Sequence, residues 1–472
     1  MLFSSITFLY YFLPIALLVY FLTPMPGGGA RLRNMALLAC SLVFYAWGEP
    51  VYVFLMLFQS IAGWFFGLLI ERYRGRPASA AALAASVSVG LAGLAAFKYS
   101  AFFTENINAL LGASLPSLGL ALPIGISFYT FQILSYTIDL YRGKIRVQRD
   151  PLTFSTYVAL FPQLTAGPIV RYDDVSEALE RRTHSASRFA AGARRFVTGL
   201  AKKVLLANTF GELAAAAGAG DEQSALLAWL YALAYTFQIY FDFSGYSDMA
   251  IGIGQLFGFK FPENFNYPYV ARSVTEFWRR WHMSLSAWFR DYVYIPLGGS
   301  RVPPVRHVLN ILLVWLLTGL WHGAGWTFVL WGLFYGLLLL LEKYAWGSLL
   351  ARLPVFLRHF WLLLCVVVSW VIFDAADPAA AARTSAAMFG LGAGGFAGTE
   401  ALYLLRGYAL PLLIAAVGCT PLPARLARDF SQSGVGERCM TALEPLCVAS
   451  LLALATAFLV DGSYNPFLYF RF

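Results

Sequence analysis

The sequence predicts an all-α, polytopic membrane protein, and three observations predict it. Of 472 residues, 59% are apolar and 12% are charged, where soluble globular chains run at about 45–50% and about 25%. The mean hydropathy is +0.64. Apolar runs long enough to cross a bilayer recur along the whole chain, near 6–23, 50–70, 79–97, 124–141, 224–242, 326–342, 356–373, 401–418 and 444–460. Shorter runs near 35–47, 153–170, 196–208 and 307–321 read as spans, half-helices or re-entrant pieces. At roughly 20 residues per span, this predicts about eleven crossings in one polytopic unit covering 1–472. The same composition excludes other classes. The 41 glycines and 22 prolines show no triplet period, and five cysteines are too few for a disulfide scaffold. Cys40, Cys365, Cys419, Cys439 and Cys447 have no metal-like spacing and read as small apolar fillers.

Charge orients the runs. Lys plus Arg is 34 and Asp plus Glu is 25, a net charge of +9. In a membrane protein such an excess marks cytoplasmic loops rather than nucleic-acid binding. The opening MLFSSITF has no Lys or Arg before its apolar run and reads as a retained first span, not a removed signal peptide. Arg31 and Arg33 follow that span, Arg72, Arg74 and Arg76 follow the hairpin at 35–70, and Arg142, Lys144, Arg146 and Arg149 follow Tyr141. A larger basic block runs from Arg171 to Lys203, and its 188–203 part reads as a membrane-surface helix. These loops share one side if the N-terminus lies outside, so that side is read as the cytoplasm. The loop at 209–223 carries Glu212, Asp221 and Glu222 without Lys or Arg and fits the outer side.

In the run Ala234–Gly254, Gln238 and Asp242 share a helical face. Gly245 reads as a candidate helix break, and the hydroxyls around it as interhelical hydrogen-bonding groups. Asp242 and Asp248 read either as groups at a polar cavity or as structural partners of the basic segment. Gln132 and Asp139, in the run ending at Tyr141, read as packing and span-end residues.

The segment 259–306 is long, aromatic and basic. Ser273 and Glu276 have capping-box spacing, which predicts a helix start. From Phe277 to Tyr292, one stripe is apolar (Phe277, Trp281, Leu285, Trp288, Tyr292) and another polar (Arg279, His282, Ser286, Arg290). That pattern predicts one amphipathic helix at the cytoplasmic interface, followed by a turn at Gly298–Gly299.

His322 is the chemical anomaly of 307–342. It ends the run Val308–Trp321, among Gly319, Gly323 and Gly325, and no Asp, Glu, Lys or Arg occurs from His307 to Leu341. An ionisable group at that depth normally faces a cavity or a partner, and imidazole is suited to moving protons at neutral pH. The bland alternative is a histidine bonded to a neighbouring carbonyl. For His282 a solvated position on a basic face weighs equally with a functional one. No phosphate-cradling loop, dinucleotide fingerprint, zinc HExxH or GxSxG elbow is present.

The runs FDFSGYSDMAIG, NFNYPY, FWRRWHMSLSAWFRDYVYIPLGGSR and LTGLWHGAGWTFVLWG together resemble the membrane-bound O-acyltransferase (MBOAT) family. The likeness is to its bacterial branch that holds the membrane subunit of alginate O-acetyltransferase. MLFSSITFLYYFLP, PIGISFYTFQILSYTIDLYRG, FPQLTAGPIVRY and the ending NPFLYFRF resemble it too, so the likeness covers essentially the whole chain. It implies a ring of transmembrane helices, with re-entrant and interfacial pieces, around a central tunnel. It places the family's near-invariant histidine on His322 and its earlier histidine on His282. The implied reaction is acyl transfer from a thioester, acetyl-coenzyme A or an acyl carrier, to a hydroxyl, with His322 as base and no bound cofactor or metal. Trp321 and the nearby glycines would shape the tunnel. Arg279, Arg280 and Arg290 would meet donor phosphate, His282 would assist there or relay protons, and Asn310, Gln238 and Asp242 are further donor-site candidates. Asn310 is more than three turns below His322, about 18 Å on a straight helix, so packing is its first reading.

The resemblance also implies a bacterial inner-membrane location, an exported partner with an SGNH-type hydrolase fold, and a polysaccharide secretion complex. The final acceptor would be an alginate- or cellulose-type polysaccharide. The rivals are D-alanyl transfer from a carrier protein to teichoic acid, a proton-relaying transporter and a non-catalytic secretion scaffold. No internal repeat of the kind common in transporters is found.

Overall fold

The computed structural model describes all residues except 220–223, 393, 463–467 and 469–472. Asp221, Glu222 and most of the NPFLYFRF ending therefore lie outside the described residues. The described elements are helices, with no strand among them. By length and composition, seven of these helices suffice to cross a membrane: Tyr52–Arg72, Pro77–Leu111, Pro304–His322, Trp326–Arg352, Val355–Asp374, Thr399–Gly418 and Gly434–Val460, with Phe8–Leu22 shorter. About eleven were expected from the runs. The difference has a physical cause in the helices that fall short. Ile126–Tyr141 has 16 residues and buries Thr130, Gln132, Ser135, Thr137 and Asp139. Ala225–Leu256 is long, at 32 residues, but buries Gln238 and Asp242.

The chain divides into two compact units. The first comprises Met1–Phe196 and Ser247–Glu263. Its helices Tyr52–Arg72, Pro77–Leu94 and Ile126–Tyr141 pack on one another. Small and hydroxyl side chains line their contacts: Ser86 Oγ donates to Thr137 Oγ1 at 3.4 Å and Thr130 Oγ1 to Gln59 Oε1 at 3.2 Å. Packing of this kind substitutes for the missing hydrophobic drive between helices in lipid. In the same unit Arg195 bridges Asp248, at 2.7 Å, and Glu263, at 2.5 Å. Asp248 is thus a structural partner of the basic segment, one of the two roles expected for it.

The second unit comprises Val197–Tyr246 and Asn264–Phe472. Its core is aromatic: Phe277, Trp281, Trp331, Tyr335 and Trp370 are all at most 3% exposed. Ala225–Leu256 runs unbroken through Gly245, so that glycine is no helix break. A Cβ there would come within 2.7 Å of the Gly199 carbonyl oxygen, and its absence lets two helices touch. One turn earlier, Lys203 and Asp242 form an ion pair at 2.9 Å, both side chains almost wholly buried. Lys203 Nζ also donates to Asn208 Oδ1 at 2.8 Å, and the Leu468 N–H donates to Asp242 Oδ2 at 3.0 Å. Lys203 is therefore not a membrane-surface residue. Its neighbours Lys202 and Val204 begin a π turn, Lys202–Ala207, which follows the Ala186–Ala201 helix and turns Lys203 inward.

Candidate active site

His322 is the last residue of the Pro304–His322 helix. Pro304 starts that helix, where a missing N–H costs nothing. The chain reverses through extended Gly323 and enters Trp326–Leu341. The two helices meet backbone to backbone. A Cβ on Gly319 would lie 2.2 Å from the Phe328 carbonyl oxygen, and one on Gly332 would lie 2.3 Å from that of Trp315. The glycines around His322 thus serve close helix packing. Gly332→Val is expected to destabilise the protein by at least about 1–3 kcal/mol, read as a lower midpoint of thermal unfolding.

This hairpin holds His322 in an aromatic box. Its ring centroid lies 5.0 Å from Trp321, 5.1 Å from Trp331 and 5.3 Å from Phe373. His322 is 6% exposed.

His282 joins it. The predicted helix from Phe277 to Tyr292 is in fact broken into Val274–Trp278 and Met283–Phe289, then the π turn Arg290–Tyr294. The break comes from the NFNYPY segment, which pairs with the chain there. Asn266 N–H donates to the Arg280 carbonyl at 2.9 Å and Met283 N–H to that of Asn264 at 3.0 Å. His282 takes up the reversal at φ 42 and ψ 55, a conformation uncommon for a residue with a Cβ and held only by its surroundings. The apolar stripe is buried as expected, but His282 leaves the polar one and is 0% exposed. It is not solvated. Ser273 does cap the first piece, accepting from Glu276 N–H at 3.1 Å, while Glu276 turns back to Arg272 N–H at 2.9 Å.

Asn264 fixes the His282 tautomer. Its Oδ1 accepts from Ser284 N–H at 3.3 Å and from Ser284 Oγ at 2.9 Å. A backbone N–H can only donate, so this atom is the amide oxygen. His282 Nδ1, 3.1 Å away, must then donate. Burial, and secondarily His322, hold the His282 imidazole well below its ordinary value. Its ring lies 4.6 Å from Phe243 and 5.9 Å from Trp321. Asn264→Ala should cost about 1–3 kcal/mol through the donors it strands, visible as a lower unfolding midpoint and a loss of activity.

A cavity of about 580 Å³ runs beside the Pro304–His322 helix. Its lining extends from His307 to Thr318, one turn short of His322, and includes Trp278, Arg279, Arg290, Trp315 and Lys343. The charged groups of the lining are three cations, Arg279, Arg290 and Lys343, and one acid, Glu342. At the His307 end, His307 Nε2 lies 2.9 Å from Tyr294 Oη and 3.1 Å from Lys343 Nζ, and Nδ1 lies 2.8 Å from Tyr344 Oη. At the Thr318 end the groups are aromatic. Trp278 lies 4.6 Å from Trp315 and 5.6 Å from Trp331, which itself packs on His322. The indole N–H groups of Trp278 and Trp331 are buried without a hydrogen-bond partner among the described residues.

The remaining candidates are placed as follows. Trp321 is buried between the two histidines. Arg279 and Arg290 line the cavity, Arg290 also pairing with Asp291 at 2.7 Å. Arg280 does not line it; it pairs with Glu276 at 2.9 Å and donates to the Asn266 carbonyl at 3.1 Å. Asn310 Nδ2 donates to the carbonyls of Leu297 and Gly299, at 3.2 and 3.4 Å, and so holds the Gly298–Gly299 turn. Gln238 is buried, and Asp242 is engaged with Lys203; neither lines the cavity. Trp278, Trp331, Lys343 and Asn264 join the site without having been singled out. Asn264 stands inside the NFNYPY motif and Trp331 inside the motif around His322, but neither residue type announces itself there.

No cluster of three or more His, Cys, Asp or Glu that could hold a metal occurs among the described residues.

Comparison with known proteins gives this geometry a context. The family model described as MBOAT, membrane-bound O-acyltransferase family, matches residues 127–375. A probable alginate O-acetylase of Azotobacter vinelandii is 44% identical over 83% of this chain and 79% of its own. One from Pseudomonas putida is 41% identical over the full length of both. A peptidoglycan O-acetyltransferase of Helicobacter pylori is 33% identical over 83% of this chain and 80% of its own. A teichoic acid D-alanyltransferase of Streptococcus thermophilus is 30% identical over 47% of this chain and 57% of its own. With helices enough for a multi-pass membrane protein and these matches across its length, the chain belongs to the membrane-bound O-acyltransferase family and is an O-acyltransferase.

Proposed function

We propose that this protein carries an acetyl group from a cytoplasmic thioester across the bacterial inner membrane, for O-acetylation of an exported polysaccharide of the alginate type. The observation that carries this reading is that two buried histidines, His282 and His322, pack on the same indole, Trp321, one turn beyond a cavity lined by Arg279, Arg290 and Lys343. The relatives support the acetyl group and the polysaccharide by their names. The loop charges support an outside N-terminus and a cytoplasmic basic face.

In this reading the phosphate-bearing part of acetyl-coenzyme A, or of an acyl carrier, meets Arg279, Arg290 and Lys343, and the thioester arm follows the cavity past Thr318. Guanidinium and ammonium groups suit phosphate. The acceptor hydroxyl gives its proton to His322 as its oxygen attacks the thioester carbonyl. The C–O bond forms, the C–S bond breaks, and the departing thiolate takes the proton back from the imidazolium. His282 keeps the pair to a single charge, since two adjacent imidazolium ions in a dry site repel. The N–H of Trp331, buried without an acceptor beside His322, is the donor for the oxyanion of the tetrahedral intermediate. Trp321 walls the space between the two imidazoles. An exported SGNH-type partner within the secretion complex then moves the acetyl group from that ester to a glycan hydroxyl, so that the first acceptor's hydroxyl is regenerated as the glycan ester forms.

The test is the ester content of the exported polysaccharide in wild type, a deletion strain and the complemented strain. The expected result is loss of acetyl esters on deletion and recovery on complementation. Unchanged acetyl with a fall in D-alanine esters would overturn the proposal in favour of D-alanyl transfer. If both are unchanged, a surface-glycan acceptor is excluded.

A further inference from the structure

We propose, resting on the donor reading of the cavity beside the Pro304–His322 helix, that His307 is a positioning residue of the donor site. It holds the Lys343 ammonium at that cavity without neutralising it, so the full charge is kept for a donor phosphate. All the residues involved lie in the second unit.

His307 stands in the first turn of the Pro304–His322 helix and is 2% exposed. It bonds to two other elements, the π turn Arg290–Tyr294 and the π turn Glu342–Trp346. An ammonium has donors and no acceptor. Lys343 Nζ, 3.1 Å from His307 Nε2, therefore donates to it, and Nε2 carries no proton. The ring proton is then on Nδ1, which donates to Tyr344 Oη at 2.8 Å. The Tyr294 hydroxyl reaches the same Nε2 at 2.9 Å, and toward a bare nitrogen it too donates. Two donors on separate elements thus share one acceptor. The Tyr344 ring completes the setting, its centroid 5.7 Å from Lys343 Nζ.

The kind of partner decides what this contact does. Arg290, in the same lining, is paired with the Asp291 carboxylate at 2.7 Å. Glu342, the acid of the lining, is turned to backbone instead. Its carboxylate accepts from the Val274 N–H at 2.7 Å and the Thr275 N–H at 3.2 Å. Lys343 is held by an imidazole nitrogen. A carboxylate partner would fix the ammonium and offset its charge; an unprotonated imidazole nitrogen fixes it and offsets nothing. Lys343 is itself exposed. A free lysine there would sample many rotamers, and ordering it on a phosphate would cost affinity. His307 orders it beforehand. His307 does not reach the reacting atoms, since it lies 15 residues before His322, about 22 Å on a straight helix. It acts through Lys343.

The test measures dissociation constants by calorimetric titration of the full-length protein in detergent. The probes are coenzyme A and 4′-phosphopantetheine, the part coenzyme A shares with acyl carriers. The variants are His307→Phe, His307→Asn, His307→Gln, Lys343→Met, and His307→Phe combined with Lys343→Met. Ordering one long side chain in advance is worth about 2–10-fold in affinity. His307→Phe, which keeps a ring without an acceptor, is expected to weaken binding by that factor. His307→Asn should do the same, since its shorter amide keeps a partner for Tyr344 and withdraws the acceptor from Lys343. His307→Gln keeps a neutral acceptor near the place of Nε2 and should stay within about twofold of wild type. With Lys343→Met already present, His307→Phe should add nothing, because the cation it positions is gone. Equal weakening with and without Lys343 would reduce His307 to a staple between three elements and overturn the proposal. If Lys343→Met weakens binding but neither His307→Phe nor His307→Asn does, the donor reading stands and the positioning role falls. If wild type binds neither probe, the donor reading itself falls, and the positioning role with it.

Discussion

His322→Gln is expected to lower acetyl transfer by about 10²–10⁴-fold, the usual contribution of a positioned general base, at an unchanged protein level. Glutamine keeps polar atoms and approximate bulk at the end of the Pro304–His322 helix but cannot accept and return a proton. The box formed by Trp321, Trp331 and Phe373 would still be filled, so the unfolding midpoint should move little. The paired variant is Trp331→Phe. It keeps an aromatic ring against His322 and Trp278 but removes the indole N–H, and loss of one preorganised donor costs about 10²–10³-fold in turnover. Both are measured as acetyl esters formed per unit of protein. A His322→Gln protein that folds and transfers at the wild-type rate would end the general-base role. A Trp331→Phe protein that does so would leave the oxyanion to another donor.

Much of this site was legible in the sequence, and what was not has a common cause. His322 stood out because a run of apolar residues offered no other charge. The turn at Gly298–Gly299 was legible because both residues take positive φ, 103° and 58°, as glycine readily does. The stripe of Phe277, Trp281, Leu285, Trp288 and Tyr292 was legible as a buried face. The depth of His282 was not. Helical periodicity assumes an unbroken helix, whereas hydrogen bonds from Asn264 and Asn266, residues 14 to 19 positions away, reverse the chain at His282. The same non-local effect hid Lys203. Its sequence neighbours are basic and read as a surface helix, and only Asp242, some forty residues on, explains its burial. Local pattern reports which face is apolar; it does not report what a distant segment will bring to a polar residue.

Lys203→Met is expected to destabilise the second unit by about 3–5 kcal/mol, the cost of stranding one member of a buried ion pair. The charge of Asp242 would then be left with the Leu468 N–H at 3.0 Å as its remaining described donor, while Asn208 Oδ1 loses its lysine partner. The effect should reach the candidate site. Asp242 adjoins Phe243, whose ring rests 4.6 Å from His282, so a rotation of the Ala225–Leu256 helix that relieves Asp242 also moves the wall of the histidine pair. Transfer activity should therefore fall with the unfolding midpoint. Adding Asp242→Asn to Lys203→Met removes the stranded charge and keeps an acceptor for Leu468. The double variant should regain most of the lost stability, since an ion pair replaced as a pair is often close to neutral. A double-mutant cycle on the unfolding midpoint measures this directly. Additive effects of the two substitutions would mean that the pair is not coupled, and that Asp242 acts through the donor-side role its position on the helix face with Gln238 first suggested.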